Sequence, residues 1–209
     1  MATPRRAPGF TRVHLESFRG ARVDDLIADP LRLLFVGINP GLWTAAVNTH
    51  FARPGNRFWP ALQLAGITPH EIDAGRGLSN AGRGLSNADR QLLLGGGIGI
   101  TNLVPIATAR ADELTPAQVR AGVGPLTELV SRTQPRVVAV LGITAYREAF
   151  GDRSVTVGRQ PRRLAGAQLW VLPNPSGLNA HETVYSLAAA YRDAARAAGV
   201  LPEPPTPRD

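Results

Sequence analysis

Leu33-Leu34-Phe35-Val36-Gly37-Ile38-Asn39-Pro40-Gly41-Leu42 is an apolar run that breaks into a turn, and the same figure returns at Leu169-Trp170-Val171-Leu172-Pro173-Asn174-Pro175-Ser176-Gly177-Leu178. Four apolar residues bounded by Asn, Pro and Gly read as a buried strand that ends in a rigid turn. In an open parallel α/β sheet the carboxyl ends of the strands form the ligand crevice, so the two turns are expected to face each other across a site.

Working outward, the chain alternates. Gly97 to Val104 and Val137 to Leu141 read as further strands. Asn56 to Leu64 reads as a helix starting at an Asn cap, with Pro60 near enough to the first turn to be tolerated. Thr115-Pro116-Ala117-Gln118 is a capping box with Pro at the first helical position and opens a helix to about Ser131. Thr144 to Phe150 is a short helix, and His181 to Ala198 a long amphipathic one. Strands separated by helices imply an α/β fold, a mainly parallel sheet with helices on both faces.

Composition narrows the function. The 209 residues, 44% of them apolar, are enough for one core. No stretch reaches the ~18 apolar residues of a membrane span. Without cysteine, thiolate catalysis, disulfides, iron-sulfur clusters and Cys-based zinc sites are all excluded, and the four His and the carboxylates show no ligand spacing, so no metal is expected. The first residues lack the apolar core of a signal peptide, which makes the cytoplasm the expected compartment. The formal charge is +7, carried by arginine without a lysine. Codon usage in a GC-rich genome accounts for Arg over Lys, whereas the net charge itself points to a phosphate-bearing partner, most commonly nucleic acid.

Residues 1–22 read as a basic, partly disordered arm, 23–200 as the folded domain and 201–209 as a proline-rich tail. The segment AGRGLSN at 74–80 is repeated letter for letter at 81–87, too short for a solenoid unit and so a duplicated loop. The duplication reads as a neutral insertion, or alternatively its Arg76 and Arg83 brush phosphates.

GINPG at 37–41, PGNRFW at 54–59, GIGITNLV at 97–104 and NPSGL at 174–178, in this order over roughly residues 31–198, resemble the mismatch-specific uracil/thymine DNA glycosylase family of the uracil-DNA glycosylase superfamily. The resemblance implies a three-layer α/β/α fold around a short, mainly parallel sheet. It also implies a monomeric, cofactor-free, nucleoid-associated enzyme of base excision repair. Such an enzyme flips uracil or a mismatched pyrimidine out of double-stranded DNA, or takes it from single strands, and hydrolyses the N-glycosidic bond to leave an abasic site.

The residue roles follow from that resemblance. Asn39 is expected to place the attacking water; its amide hydrogen-bonds but does not titrate, so it orients without acting as a base. Asn39 is otherwise only a turn-forming Asn before Pro. Phe51 is expected to stack on the flipped base, or else to be a core residue. Gly37 and Ile38 belong to the base-binding turn, where backbone N–H groups around Ile38 and Phe51 are expected to meet the carbonyl oxygens, and Gly41 leaves room beside C5 of the ring. Asn102 pairs with a base edge or caps a strand end; Thr108 and Asn174 complete the base site. His50 is either a base contact or a surface residue.

Pro175, Ser176, Gly177, Leu178 and Asn179 are expected to form the loop whose Leu fills the hole left by the base, or alternatively Leu178 staples the next helix with Asn179 as its cap. The chain departs from the family in two places. Asn179-Ala180-His181 follows the Leu where a basic residue is common, and Trp43 stands where smaller residues are usual and is expected to reshape the pocket. Two other readings compete. A non-catalytic DNA-binding protein of the same fold is one. A nucleotide- or flavin-binding module using Gly95-Gly96-Gly97-Ile98-Gly99 is the other, although that run leads into a strand instead of joining a strand to a helix.

Overall fold

The computed structural model describes residues 10–75 and 84–203. Its sheet runs β2-β1-β3-β5-β4, with β1 (Leu33–Gly37), β2 (Ile98–Asn102), β3 (Val137–Leu141), β4 (Gly158–Leu164) and β5 (Ala167–Leu172). β1 pairs in parallel with β2 and β3, and β3 with β5; only the edge strand β4 is antiparallel. Every residue of β1 and β3 is buried, as expected of strands covered on both faces.

Helices cover both sides: α1 (Arg12–Glu16), α2 (Leu42–Val47), α3 (Phe58–Leu64), α4 (Asn87–Gly95), α5 (Pro116–Ala121), α6 (Val123–Thr133), α7 (Ile143–Phe150) and α8 (Val184–Ala197). The pleat divides the core in two. Leu33, Phe35, Ala139 and Leu141 pack with Phe58, Leu62, Leu93 and Tyr191 of α3, α4 and α8. Leu34, Val36, Val138 and Val140 pack with Val119, Leu126, Val130 and Tyr146 of α5, α6 and α7. The result is the three-layer α/β/α architecture expected above.

Several boundaries differ from expectation, each for a local reason. The helix expected to run from Thr115 to Ser131 is two, because Pro125 has no N–H for the Ala121 carbonyl and is tolerated only in a first turn; the chain restarts at Val123. The Thr115 capping box itself is formed. Asn56 is not the cap: the helix starts at Phe58 with Arg57 as its N-cap, and Asn56 Oδ1 accepts from the Phe58 N–H at 2.9 Å from one residue further back. β2 stops at Asn102 and not at Val104. The last helix starts at Val184 under a Thr183–Ser186 box, so Asn179 is not its cap. β4 escapes the sequence because only Gln160 and Leu164 turn inward, and its Pro161 lies where the pairing with β5 shifts register.

Residues 10–22 carry α1, and Phe10 stacks edge-on against Trp43 at 5.0 Å. Gly20 and Ala21 exchange backbone hydrogen bonds with Ala107. Arg76 and Arg83 of the duplicated loop lie outside the described residues, as do residues 1–9 and 204–209. The Ser86 of the second copy caps α4 by accepting from the Asp89 N–H.

Phe58 is fully buried at the centre of an aromatic group: Phe51 lies 4.1 Å from it, Trp59 5.0 Å and Phe35 5.2 Å. Phe58→Ala is expected to cost about 3–5 kcal/mol in urea denaturation, the range for emptying a core aromatic site. A loss under about 1 kcal/mol would mean that the neighbours refill the void.

Candidate functional site

The turns after β1, β2 and β5 and the end of β3 at Leu141 lie at one end of the sheet and enclose a cavity of about 310 Å³ lined by Gly37, Asn39, Phe51, Asn102, Asn174 and Leu178 among others. The two Asn-Pro turns read from the sequence therefore do share a wall of one pocket, at the carboxyl ends of parallel strands. The glycine run at 95–99 ends α4 and enters β2 at the opposite end of that strand, away from the cavity.

Gly37 is the floor. A Cβ built there would sit 2.5 Å from Asn102 Oδ1 and 3.3 Å from the tip of the Phe51 ring, so only a glycine lets the amide and the ring close over the end of β1. Phe51 takes a positive φ of 56° and lies face-on to Phe58, with an angle of 29° between the rings. It is half-buried: one face is core, and the residue also lines the cavity. Gly41 opens the other side, since a Cβ there would meet no atom within 4 Å.

Asn39 is held by its NH₂ group. Nδ2 donates to Thr108 Oγ1 at 2.7 Å and to the carbonyls of Ile106 and Pro40 at 3.1 Å. The Thr108 hydroxyl donates to the Arg110 carbonyl, so it accepts from Asn39. These partners fix the amide orientation and leave Oδ1, a pure acceptor, for the cavity. Thr108 thus holds Asn39, a role that its residue type alone did not reveal.

His50 is not a surface residue. It is 4% exposed, its Nε2 lies 3.0 Å from the Asp24 carbonyl, and its Nδ1 lies 3.2 Å from Asn102 Nδ2. A carbonyl only accepts, so Nε2 carries the proton and Nδ1 accepts from Asn102. Burial pushes the His50 pKa down to about 4, keeping the ring neutral. The Asn102 amide is thereby oriented, with one N–H spent on His50 and Oδ1 against Gly37.

At the turn after β5, Asn174 Oδ1 accepts from the Ser176 N–H at 2.9 Å, and Asn179 Nδ2 donates to the Asn174 carbonyl at 3.2 Å. Asn174 and Asn179 therefore brace the loop from within. Leu178 is 74% exposed, and Gly177 lies against the backbone of Gly55. Pro175 and Ser176 line the cavity; Gly177 and Asn179 do not.

Other residues escaped the sequence reading. Arg53 and Asn56 line the cavity from the Phe51 loop, and Ala109–Asp112 form its rim. Asp112 is the one carboxylate among the lining residues, and its hydrogen bond to Arg110 holds it below the usual carboxylate range. An exposed, weakened base of this kind is poorly suited to deprotonating water. Trp43 does not reshape the cavity: it lines a separate groove against the 51–60 loop and packs on Phe10, while Thr44 faces the site.

The neutral His50 sets a pH dependence. Its folded pKa of about 4 lies below the ordinary 6.5, so between these values the unfolded chain takes up a proton that the folded chain refuses. Stability is then full above about pH 6.5 and falls as the pH drops toward 4. Between pH 7 and pH 5 the parent is expected to lose about 2 kcal/mol more unfolding free energy than His50→Gln, measured by urea titration at both pH values. Parallel losses in parent and variant would mean that His50 is charged in the fold.

Residues 25–196 match the Uracil DNA glycosylase superfamily, a span that takes in all five strands and every turn around the cavity. Proteins of this superfamily act on DNA as glycosylases, hydrolysing N-glycosidic bonds. No helix among the described residues is long and apolar enough to cross a membrane. With a mostly parallel five-stranded sheet and its cavity at the strand ends, this chain belongs to the Uracil DNA glycosylase superfamily.

Proposed function

We propose that this protein is a monofunctional DNA glycosylase of the mismatch-specific uracil/thymine branch, which flips uracil or another mismatched pyrimidine out of DNA and leaves an abasic site for base excision repair. The observation that carries this reading is the amide of Asn39, pinned through Nδ2 at the wall of a cavity that Phe51 and Asn102 also line.

Hydrolysis needs a water aimed at the sugar C1′ and a home for the charge gathering on the departing base. Asn39 Oδ1 accepts from that water and aims a lone pair at C1′, but takes no proton. The reaction therefore relies on the leaving group, which suits uracil, a fairly stable anion. Phe51 offers a ring face to the flipped base. Asn102 offers Oδ1 and its second N–H, complementary to N3–H and O4 of uracil. Cytosine reverses that pattern, and turning the amide to match would set Oδ1 against the Nδ1 lone pair of His50. The open space at Gly41 accommodates a C5 substituent, which supports thymine and modified pyrimidines as further substrates. The exposed Leu178 fills the vacated stack.

Asn39→Ala is expected to lower single-turnover excision of uracil by about 10²-fold while duplex binding persists. Full activity in this variant would remove Asn39 from the mechanism. Asn39→Asp would turn a carboxylate oxygen toward the Ile106 and Pro40 carbonyls, which favours the protonated form. Its activity should therefore rise with pH above the usual carboxylate range. A flat pH–rate profile would contradict the pinned orientation.

Leu178→Ala is expected to slow excision from duplex by about tenfold while excision from single-stranded uracil DNA, which has no hole to fill, changes little. Uracil opposite adenine, which costs more to open, should suffer more than a mismatch. Equal losses on single and double strands would make Leu178 a packing residue.

A further inference from the structure

Arg57 stands between the Phe51 loop and α3, and everything it holds belongs to the loop that carries Leu178. Its backbone N–H donates to the Pro175 carbonyl at 3.0 Å. Its guanidinium reaches further: Nη2 donates to the carbonyls of Ser176 at 2.5 Å and Asn179 at 2.7 Å, and Nη1 donates to that of Glu182. Three carbonyl dipoles from residues 176–182 thus converge on one half-buried cation. With its carbonyls drawn inward, the loop leaves the Leu178 side chain outside, 74% exposed.

The same contact is closed from the other side. A Cβ at Gly177 would come to 2.5 Å from the Gly55 carbonyl oxygen, so the loop seats directly on the backbone of the 53–57 turn. The far end of the loop is held too, since Tyr191 donates its hydroxyl to the Pro173 carbonyl at 3.3 Å from within the core. The two Nη atoms of the planar fork serve three carbonyls at once, which a lysine ammonium on a flexible stem does less well.

We propose that Arg57 is a positioning residue that fixes the 176–182 loop in its projecting form, so that Leu178 meets duplex DNA already ordered. The inference rests on the reading of Leu178 as the residue that fills the vacated stack. A loop ordered beforehand loses little conformational freedom on insertion, whereas a loose one must be ordered at the moment the base leaves, when unstacking already costs a few kcal/mol. Arg57 touches neither the base nor the water, and its effect is confined to substrates that have a stack to fill.

The test compares single-turnover excision from a uracil:adenine duplex, a uracil:guanine duplex and single-stranded uracil DNA for the parent, Arg57→Gln, Arg57→Lys, Leu178→Ala and the double variant Arg57→Gln/Leu178→Ala. Arg57→Gln is expected to lower the ratio of duplex to single-strand rates about tenfold, more for uracil:adenine than for uracil:guanine. Arg57→Lys should recover part of the ratio. The double variant should fall no further than Leu178→Ala alone, because the loop has then nothing to insert. A second readout is the fluorescence of 2-aminopurine beside the uracil, which should rise on binding to the parent and less on binding to Arg57→Gln.

Equal losses on single and double strands, an unchanged ratio, or additive effects in the double variant would overturn the proposal. Loss of folding in both Arg57 variants, judged by circular dichroism, would overturn it too and make Arg57 a general brace. The underlying reading fails separately: an unchanged ratio in Leu178→Ala removes the stack-filling role whatever Arg57 does. A shifted ratio in Leu178→Ala with none in the Arg57 variants removes only the inference.

Discussion

The cavity exists because β1 ends without a side chain. β1 is paired on both edges and buried on both faces, so its position is among the most constrained in the molecule. At Gly37 that constraint turns into free space, into which Asn102 and Phe51 lean from two other segments. Any larger residue would push apart the amide and the ring, which close together over this space. The core on one face of the sheet then supports the ring itself, since Phe58 stacks under Phe51 and Phe35 and Tyr191 hold Phe58. One aromatic column thus joins the core to the cavity wall.

Around that floor the polar groups are fixed by acceptors and not by charge. Asn39 is oriented by two carbonyls and a hydroxyl, and Asn102 by a neutral imidazole that is itself oriented by a carbonyl. Amides held this way cannot exchange their ends without placing two acceptors face to face, which costs more in a dry site than in water. The consequence is a pocket whose pattern of donors and acceptors is insensitive to pH over the physiological range. Under the proposed function its limit follows from the same chemistry: with no base among the amides, the rate comes from positioning and from the leaving group.

The sequence made local features legible and long-range ones obscure. The apolar runs of β1, β3 and β5 and the Asn-Pro turns after β1 and β5 were readable because their signals lie within a few adjacent residues. β4 was not, since an edge strand with three Arg and a Pro among its seven residues shows no alternation. The role of His50 depends on Asp24 and Asn102, 26 and 52 residues away, and nothing in the string His50-Phe51 announces burial. Arg57 was in view inside PGNRFW, yet its partners are backbone carbonyls more than a hundred positions downstream, and a carbonyl leaves no trace in residue identity.

Those distant carbonyls tie two parts of the site that chemistry treats separately. The segment from His50 to Arg57 carries the stacking ring at one end and the guanidinium at the other, with Gly55 between them seated on Gly177. A shift of this segment would move the ring, the 176–182 loop and, through His50, the amide of Asn102 together. Under the proposed function one residue grips the base while Leu178 enters the space it leaves; the short stretch anchored to α3 carries the first and, through Arg57, holds the loop of the second. The cost of ordering them falls on folding, where the buried Phe58 offsets it, and not on each encounter with DNA.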